Sequence, residues 1–494
     1  MRTKAWLILV VFFSGIPFLQ GKAQEEITNT LTYHAETFGS VATGNTTPFW
    51  MASNNYGVTP IDAGSGLLRG GITINKSLYR HFFWRAGAEA IIAAPREKNI
   101  FIQQLYAEIG FQSFLLSIGS KERYRSLYNR NLSSGDMILS TNARPIPEVS
   151  VGLPQFTVVP LTKGWLQVKG EITVGKAFES DYLKSFAKPD IRYVKDILWH
   201  YKSAFVRIGD TRNEAPFSVA FGIQHIAQWG GESTDPNWGV QPHSLKDFVR
   251  VFFGRSGGED ASEGDQINIL GSHHLSYEMK LGYTKKTWAV HAYYQHISAD
   301  KSGLLFYNGT DGLWGVEVDL KRFSPIRKIV AEFITTRNQS GSFHYINFDH
   351  AAHPGRGGGD DDYYNNWEYA TGSTYFNRSV GSPLLISPEY NTDNELGFKS
   401  TRVRDYHLGL EGDLSPQLSY RFLMTVMNGW GTSYAPFLKK KTGTSLLFDL
   451  AYTHPKLSDW QFMGSIGADT GNITGKSTYG FRLGIRKQGI LKSW

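Results

Sequence analysis

The sequence predicts an all-β fold, a transmembrane antiparallel β-barrel of about 18 strands with long extracellular loops. Three observations carry this reading. The chain begins with an export signal, most of it alternates apolar and polar residues with period two, and its connections alternate between short and long. A secreted sandwich or propeller also alternates, but neither requires short and long connections in strict turn.

Arg2 and Lys4 give a basic start, Ala5 to Leu19 is apolar and interrupted by Pro17, and Gly21-Lys22-Ala23 is a small-x-small cleavage site before Gln24. The run is shorter than the roughly 18 apolar residues a membrane anchor needs. Residues 1–23 are therefore read as a signal peptide and 24–494 as a single barrel domain. With no cysteine in the chain, neither a lipid-anchored mature N-terminus nor a disulfide can form. A net charge of +7, spread evenly and lowered further by loss of the signal, excludes nucleic acid as a partner. Gly 52, Tyr 25 and Phe 31 suit membrane strands, which satisfy their backbone groups between neighbours.

Strand patterning follows in order. Residues 30–38 form the first upward strand. Leu166, Val168, Ile172 and Val174 alternate with Gln167, Lys169, Glu171 and Thr173; Trp314, Val316, Val318 and Leu320 alternate with Glu317 and Asp319. Tyr420, Phe422, Met424 and Val426 alternate with Arg421 and Thr425, and Tyr479, Phe481, Leu483 and Ile485 with Arg482, Gly484 and Arg486. One face is apolar and the other charged, as in a wall between lipid and a wet lumen. Short turns fall at Gln112-Ser113, 162–164, 284–287, Ser324-Pro325, Ser415-Pro416 and 455–459. Long outer loops fall near 39–66, 121–155, 176–202, 228–267 and 338–403, with the strand-like stretch 343–348 assigned to the last. Trp165, Trp288 and Trp460 start strands directly after short turns, where a periplasmic aromatic girdle belongs. Thr478-x-Gly480-x-x-Leu483-x-Ile485 in the last strand is similar to the signal read by barrel-assembly machinery, an expected partner during biogenesis.

The long loops amount to roughly half the mature chain, which places the functional question there. Asp360, Asp361, Asp362, Tyr363, Tyr364, Asn365, Asn366 and Trp367, preceded by Arg356, combine rings that stack on sugars with groups that hydrogen-bond hydroxyls. A structural plug and a solvated tip are the alternatives for this segment. Trp229, with Trp238 in the same loop, is read as a ligand platform or as an outer girdle residue. Arg144, in the proline-locked Asn142 to Pro147, is read as a guanidinium for an acidic sugar or as the partner of a lumen carboxylate. Three adjacent acids rarely reach one ion, and His273 and His274 point to opposite faces, so no metal and no cofactor is expected. No Gly-x-Ser-x-Gly, His-Glu-x-x-His, phosphate-loop or dinucleotide motif is present, so the chain reads as no enzyme.

Several motifs together resemble the capsule-assembly Wzi family of outer-membrane proteins, in its Bacteroidetes form. They are Thr47-Pro48-Phe49-Trp50, Asn54-Asn55-Tyr56-Gly57, Asn142 to Pro147, Gln228-Trp229-Gly230-Gly231, Asp300 to Gly303, Asp311 to Gly315 and Asp361 to Asn366. The resemblance implies a closed 18-stranded barrel in the outer membrane, loops at the cell surface, that binds and organises capsular polysaccharide without catalysis. Its expected partners are surface polysaccharide and outer-membrane lipid or lipopolysaccharide. The helical bundle that plugs the periplasmic side in the best-known branch has no room here, because a strand pattern begins soon after Gln24. The competing reading is a diffusion channel or a barrel for polysaccharide export or uptake.

Overall fold

The computed structural model describes residues 29–79, 81–96, 98–209, 215–341 and 361–494. The expected signal peptide 1–23, the stretch 343–348, Arg356 and Asp360 lie outside the described residues.

Eighteen strands form one closed antiparallel sheet. In chain order they are β1 (Thr30–Thr46), β2 (Asp62–Tyr79), β3 (Phe82–Ala94), β4 (Ile100–Phe111), β5 (Phe114–Ser120), β6 (Glu148–Val158), β7 (Leu166–Lys176), β8 (Leu198–Ile208) and β9 (Phe217–Trp229). The second half comprises β10 (Ser272–Thr284), β11 (Ala289–Ser298), β12 (Gly312–Asp319), β13 (Lys328–Thr335), β14 (Arg404–Ser415), β15 (Leu418–Gly431), β16 (Pro436–Thr453), β17 (Trp460–Gly471) and β18 (Thr478–Ser493). Each strand pairs with the next, and β18 returns to β1 with Thr30 opposite Ser493 and Ala42 opposite Gly480. Closure leaves no unpaired edge in lipid.

The period-two pattern maps onto the wall. Leu105 and Ile109 on β4, Leu116 and Ile118 on β5, Ile172 and Val174 on β7, and Tyr479, Phe481, Leu483 and Ile485 on β18 are exposed on the outside. Between them Glu108, Ser117, Glu171 and Thr173 are buried on the inside. Short turns such as Gln112-Ser113 and 416–417 gather at one end, which also holds both described chain ends: the Trp494 amide donates to the Asn29 carbonyl at 3.0 Å. The opposite end carries the loops 47–61, 121–147, 177–197, 230–271 and 336–403.

The strands run further than the pattern predicts. β1 continues from 38 to Thr46, with Gly39, Ser40 and Val41 paired to both neighbours, so the loop expected from 39 starts at 47. Alternation fades where both faces are polar, while the backbone ladder continues beyond the lipid.

Lumen charges of both signs, such as Arg421, Glu171 and Glu317, suit a wet pore or an ion-paired plug alike, and the structure has a filled lumen. Loop 121–147 turns inward and contacts strand after strand. Arg125 Nε donates to Glu171 on β7 at 2.8 Å, Tyr128 Oη to Glu278 on β10 at 2.9 Å, and the Met137 amide to Gln295 on β11 at 2.9 Å. Asn129 Nδ2 donates to Glu317 on β12 at 3.1 Å, Ser133 Oγ to Glu332 on β13 at 2.7 Å, and His407 Nε2 on β14 lies 2.7 Å from the Leu132 carbonyl. Around this crossing, Phe49, Trp50, Leu132, Met137, Tyr363 and Leu384 pack with inward-facing Leu313, Val330, Leu423 and Leu447 into an apolar core. The barrel is thus filled from the loop end by a core like that of a soluble domain. Its charges serve as anchors: Arg421 Nε meets Asp449 at 2.8 Å, and Lys280 meets Glu317 at 3.2 Å.

Candidate functional site

The outward surface of the loops is organised around Arg192. Val194-Lys195 pairs with Glu232-Ser233 as a two-residue ladder, bringing the loop after β7 against the loop after β9. The Thr234 amide donates to the Tyr193 carbonyl at 2.9 Å, and the Tyr193 amide returns to Thr234 Oγ1 at 3.1 Å. Beyond this ladder Asp235 opens a tight turn. Its Oδ1 accepts the Asn237 amide at 2.9 Å and its carbonyl the Trp238 amide at 3.0 Å, which sets Trp238 at the tip. A third segment supplies Trp367. Asn366 Oδ1 accepts the Glu368 and Tyr369 amides at 2.9 and 3.0 Å, a side-chain turn that turns the Trp367 indole out to 76 % exposure.

Arg192 stacks between these two indoles, 4.0 Å from the Trp238 ring centre and 4.8 Å from that of Trp367, and one guanidinium nitrogen donates to the Trp367 carbonyl at 3.0 Å. Cation–π contact with both indoles and the hydrogen bond to Trp367 hold the guanidinium in place. The arrangement offers an apolar stacking surface beside a planar donor. Sequence reading named Trp238 and Trp367 and missed Arg192, which carries no local pattern in Asp190-Ile191-Arg192 and becomes significant only when three loops meet.

The other expected site residues are placed differently. Tyr363 and Tyr364 are 0 % and 1 % exposed. Asn308 Nδ2 donates to Tyr363 Oη at 2.7 Å, and the Tyr364 amide donates to His274 Nε2 at 3.0 Å. Asn365 joins Asp362 and the Phe398 carbonyl, both at 2.9 Å, and accepts the Phe398 amide at 2.7 Å. Asp362 also accepts from Thr401. Asp361 is buried and accepts from Ser340 Oγ at 2.8 Å; burial and the nearby Asp300 carboxylate raise its pKa. Residues 361–365 therefore face the filled lumen, whereas Trp367 faces out. Trp229 is 3 % exposed and packs with Val251, Ala261 and Leu270 under the capped helix Leu245–Phe252, rather than on the outer girdle.

Among the described residues Arg144 forms no ion pair with a lumen carboxylate. It lies between Phe101 and Phe376, 4.2 and 4.5 Å from their ring centres, and donates to the Ile102 carbonyl at 2.9 Å; burial lowers its pKa. It borders a cavity of about 50 Å³ shared with Lys121, Arg123, Arg125 and Trp199, a space for a few waters rather than a sugar ring. Among the described residues no group of three or more His, Asp or Glu is placed to hold a metal ion.

No curated protein matches this chain in sequence. Among solved structures, the barrel is similar to Wzi of Escherichia coli, an outer-membrane protein involved in group 1 capsule assembly and described as a carbohydrate-binding β-barrel. Identity is 13 %, coverage 92 % of this chain and 83 % of that one, and the TM-score 0.55. OpdH and OprD of Pseudomonas aeruginosa align at 7 % and 8 % identity with TM-scores of 0.48 and 0.46, over 94 % and 96 % of this chain and 98 % and 100 % of theirs. The family described as capsule assembly protein Wzi matches residues 51–385, and this outer-membrane barrel therefore belongs to that family.

Proposed function

We propose that this chain is a non-catalytic surface protein that binds capsular or other surface polysaccharide through its outer loops and so organises the polymer at the cell surface. The observation that carries the reading is Arg192 clasped between Trp238 and Trp367 on the exposed face. Indole faces stack on the apolar faces of pyranose rings, and the guanidinium edge pairs with hydroxyls or an acidic substituent. Membership of the capsule-assembly family and the carbohydrate binding described for the Escherichia coli protein support the same reading. Many weak contacts along a polymer add up to useful avidity even where one repeat binds poorly.

Replacing Trp238 and Trp367 by Ala, and Arg192 by Gln, is expected to weaken polysaccharide binding roughly tenfold or more. Cell-bound polysaccharide falls and shed polysaccharide rises, while the barrel still assembles and shows heat-modifiable migration. Unchanged retention by the triple variant would remove this site from consideration. The diffusion-channel reading is disfavoured because loop 121–147 crosses the lumen and is anchored on the wall from β7 to β14.

A further inference from the structure

The outer rim of β13 to β16 carries a second feature, on the lipid side of the wall. Along β14, Tyr406 is 52 % exposed toward lipid while Asp405 and His407 are buried inward, so Arg404, two residues on, shares the outward face. Along β15 the inward residues are Leu423, Thr425 and Met427, which puts Tyr420, Val426 and Trp430 outside. From Tyr420 to Trp430 about ten residues, rising roughly 3.3 Å each at ~40° tilt, span about 25 Å, the height of an outer-membrane apolar band. Trp430 therefore marks the outer interface.

At that height cations converge. Arg337 stacks on Trp430 at 4.1 Å and Lys440 lies over the same ring at 5.6 Å. The Trp430 amide donates to the Arg402 carbonyl at 2.9 Å, and Asn428 Nδ2 to the Arg404 carbonyl at 2.9 Å, which seats both arginines beside it. Two acids of the same loop, Asp393 and Glu395, are taken by Lys399. Arg337, Arg402, Arg404 and Lys440 make no ion pair among the described residues, and Arg337 Nε is buried without a partner. The charges of Arg404 and Arg402, after burial, hold Arg337 below the usual guanidinium range.

Four like charges gathered at the headgroup level of an outward face, with the buried Asp311 carboxylate the one acid among the described residues acting on Arg337, call for an anion supplied by the membrane. We infer that Arg337, Arg402, Arg404 and Lys440 around Trp430 form a binding site for the phosphorylated headgroup of an outer-leaflet glycolipid. Arginine pairs phosphate oxygens bidentately, lysine adds a point charge, and Trp430 packs beside the sugar-acyl boundary. The site is separate from the Arg192 clasp and faces lipid rather than the loop surface.

Native mass spectrometry of the purified full-length barrel tests it with diphosphorylated and dephosphorylated lipid A as probes. The wild-type protein is expected to retain the diphosphorylated form and to release the dephosphorylated form. The R337Q/R404Q/K440Q variant should bind the diphosphorylated form between about tenfold and a hundredfold more weakly, and R337K/R404K should keep most of the affinity. The comparison of the two lipids on the wild-type protein holds even if the triple variant assembles poorly. Equal retention of both lipids overturns the inference. So does a triple variant that keeps its lipid but loses polysaccharide, which would assign these cations to the polymer instead.

Discussion

Arg192 and Glu179 show how single side chains acquire meaning from their neighbours. A guanidinium in contact with two indoles and bonded to a carbonyl has little freedom left to lose, so a ligand that meets it meets a preorganised donor. Glu179, in the loop between β7 and β8, is 4 % exposed and accepts the Phe376 amide. Burial pushes its pKa from 4.5 up to about 8, against the opposing pull of that hydrogen bond and of Arg144. Because the folded value lies above the unfolded one, its favourable contribution is complete below pH 4.5 and is lost as pH rises toward 8. Glu179→Gln keeps the acceptor and removes the charge. The variant should therefore lose less stability than the wild type over this interval, as read by denaturant titration at several pH values. Identical pH profiles would refute the assignment.

At the scale of elements, the segment 361–372 is held at two acid pairs. Asp361 meets Asp300, and Glu368 meets Asp265; burial first, and then the partner carboxylate, raises Asp361 and Asp265. Ser262 Oγ donates to Glu368, and the Gly271 amide to Asp265 at 2.9 Å. Protonated pairs hold and ionised pairs repel, so this anchoring is present at low pH and lost as pH rises through the raised values. Amide exchange across 361–372, corrected for intrinsic rate, should show weaker protection at about pH 8.5 than at about pH 5, with barrel amides unchanged. The lumen loop depends on an opposite pairing. Arg125 bonds Glu171 at 2.8 Å and also pairs Glu148, so Arg125→Ala leaves the enclosed Glu171 without its ion-pair partner and Glu148 with Arg123 at 3.3 Å alone. A loss of about 3–5 kcal/mol is expected in the stability of the loop core, and a thermal scan unaltered by the change would count against this role.

The motif from Asp361 to Trp367 was visible in the sequence as unusual, but its orientation was not. A run of aromatic, amide and acidic residues reads alike whether it faces solvent or a core. Here the turn at Asn366 sends Trp367 out while Tyr363 and Tyr364 go in. Trp229 carries the same lesson, since the helix that covers it comes from a distant part of its loop.

At the scale of the whole molecule, four outer loops and the inward wall form one core, and this predicts electrical behaviour. The intact protein in planar bilayers should be silent or nearly so, whereas shortening loop 121–147 between 126 and 140, or deleting 350–403, should open a steady conductance. Steady current through the intact barrel would return the channel reading to first place.

Barrel class, strand number and the long connections at one end were legible along the chain, although the loop end also carries the short connections 95–99, 432–435 and 472–477, so the alternation is not strict. They rest on period-two patterning and turn chemistry, which are local and repeat at every hairpin. The filled lumen, the inward turn of Tyr363 and Tyr364, the clasp on Arg192 and the cationic rim at Trp430 were not. Each joins residues from loops or strands far apart in sequence, and closing the sheet into a ring is what brings them into contact.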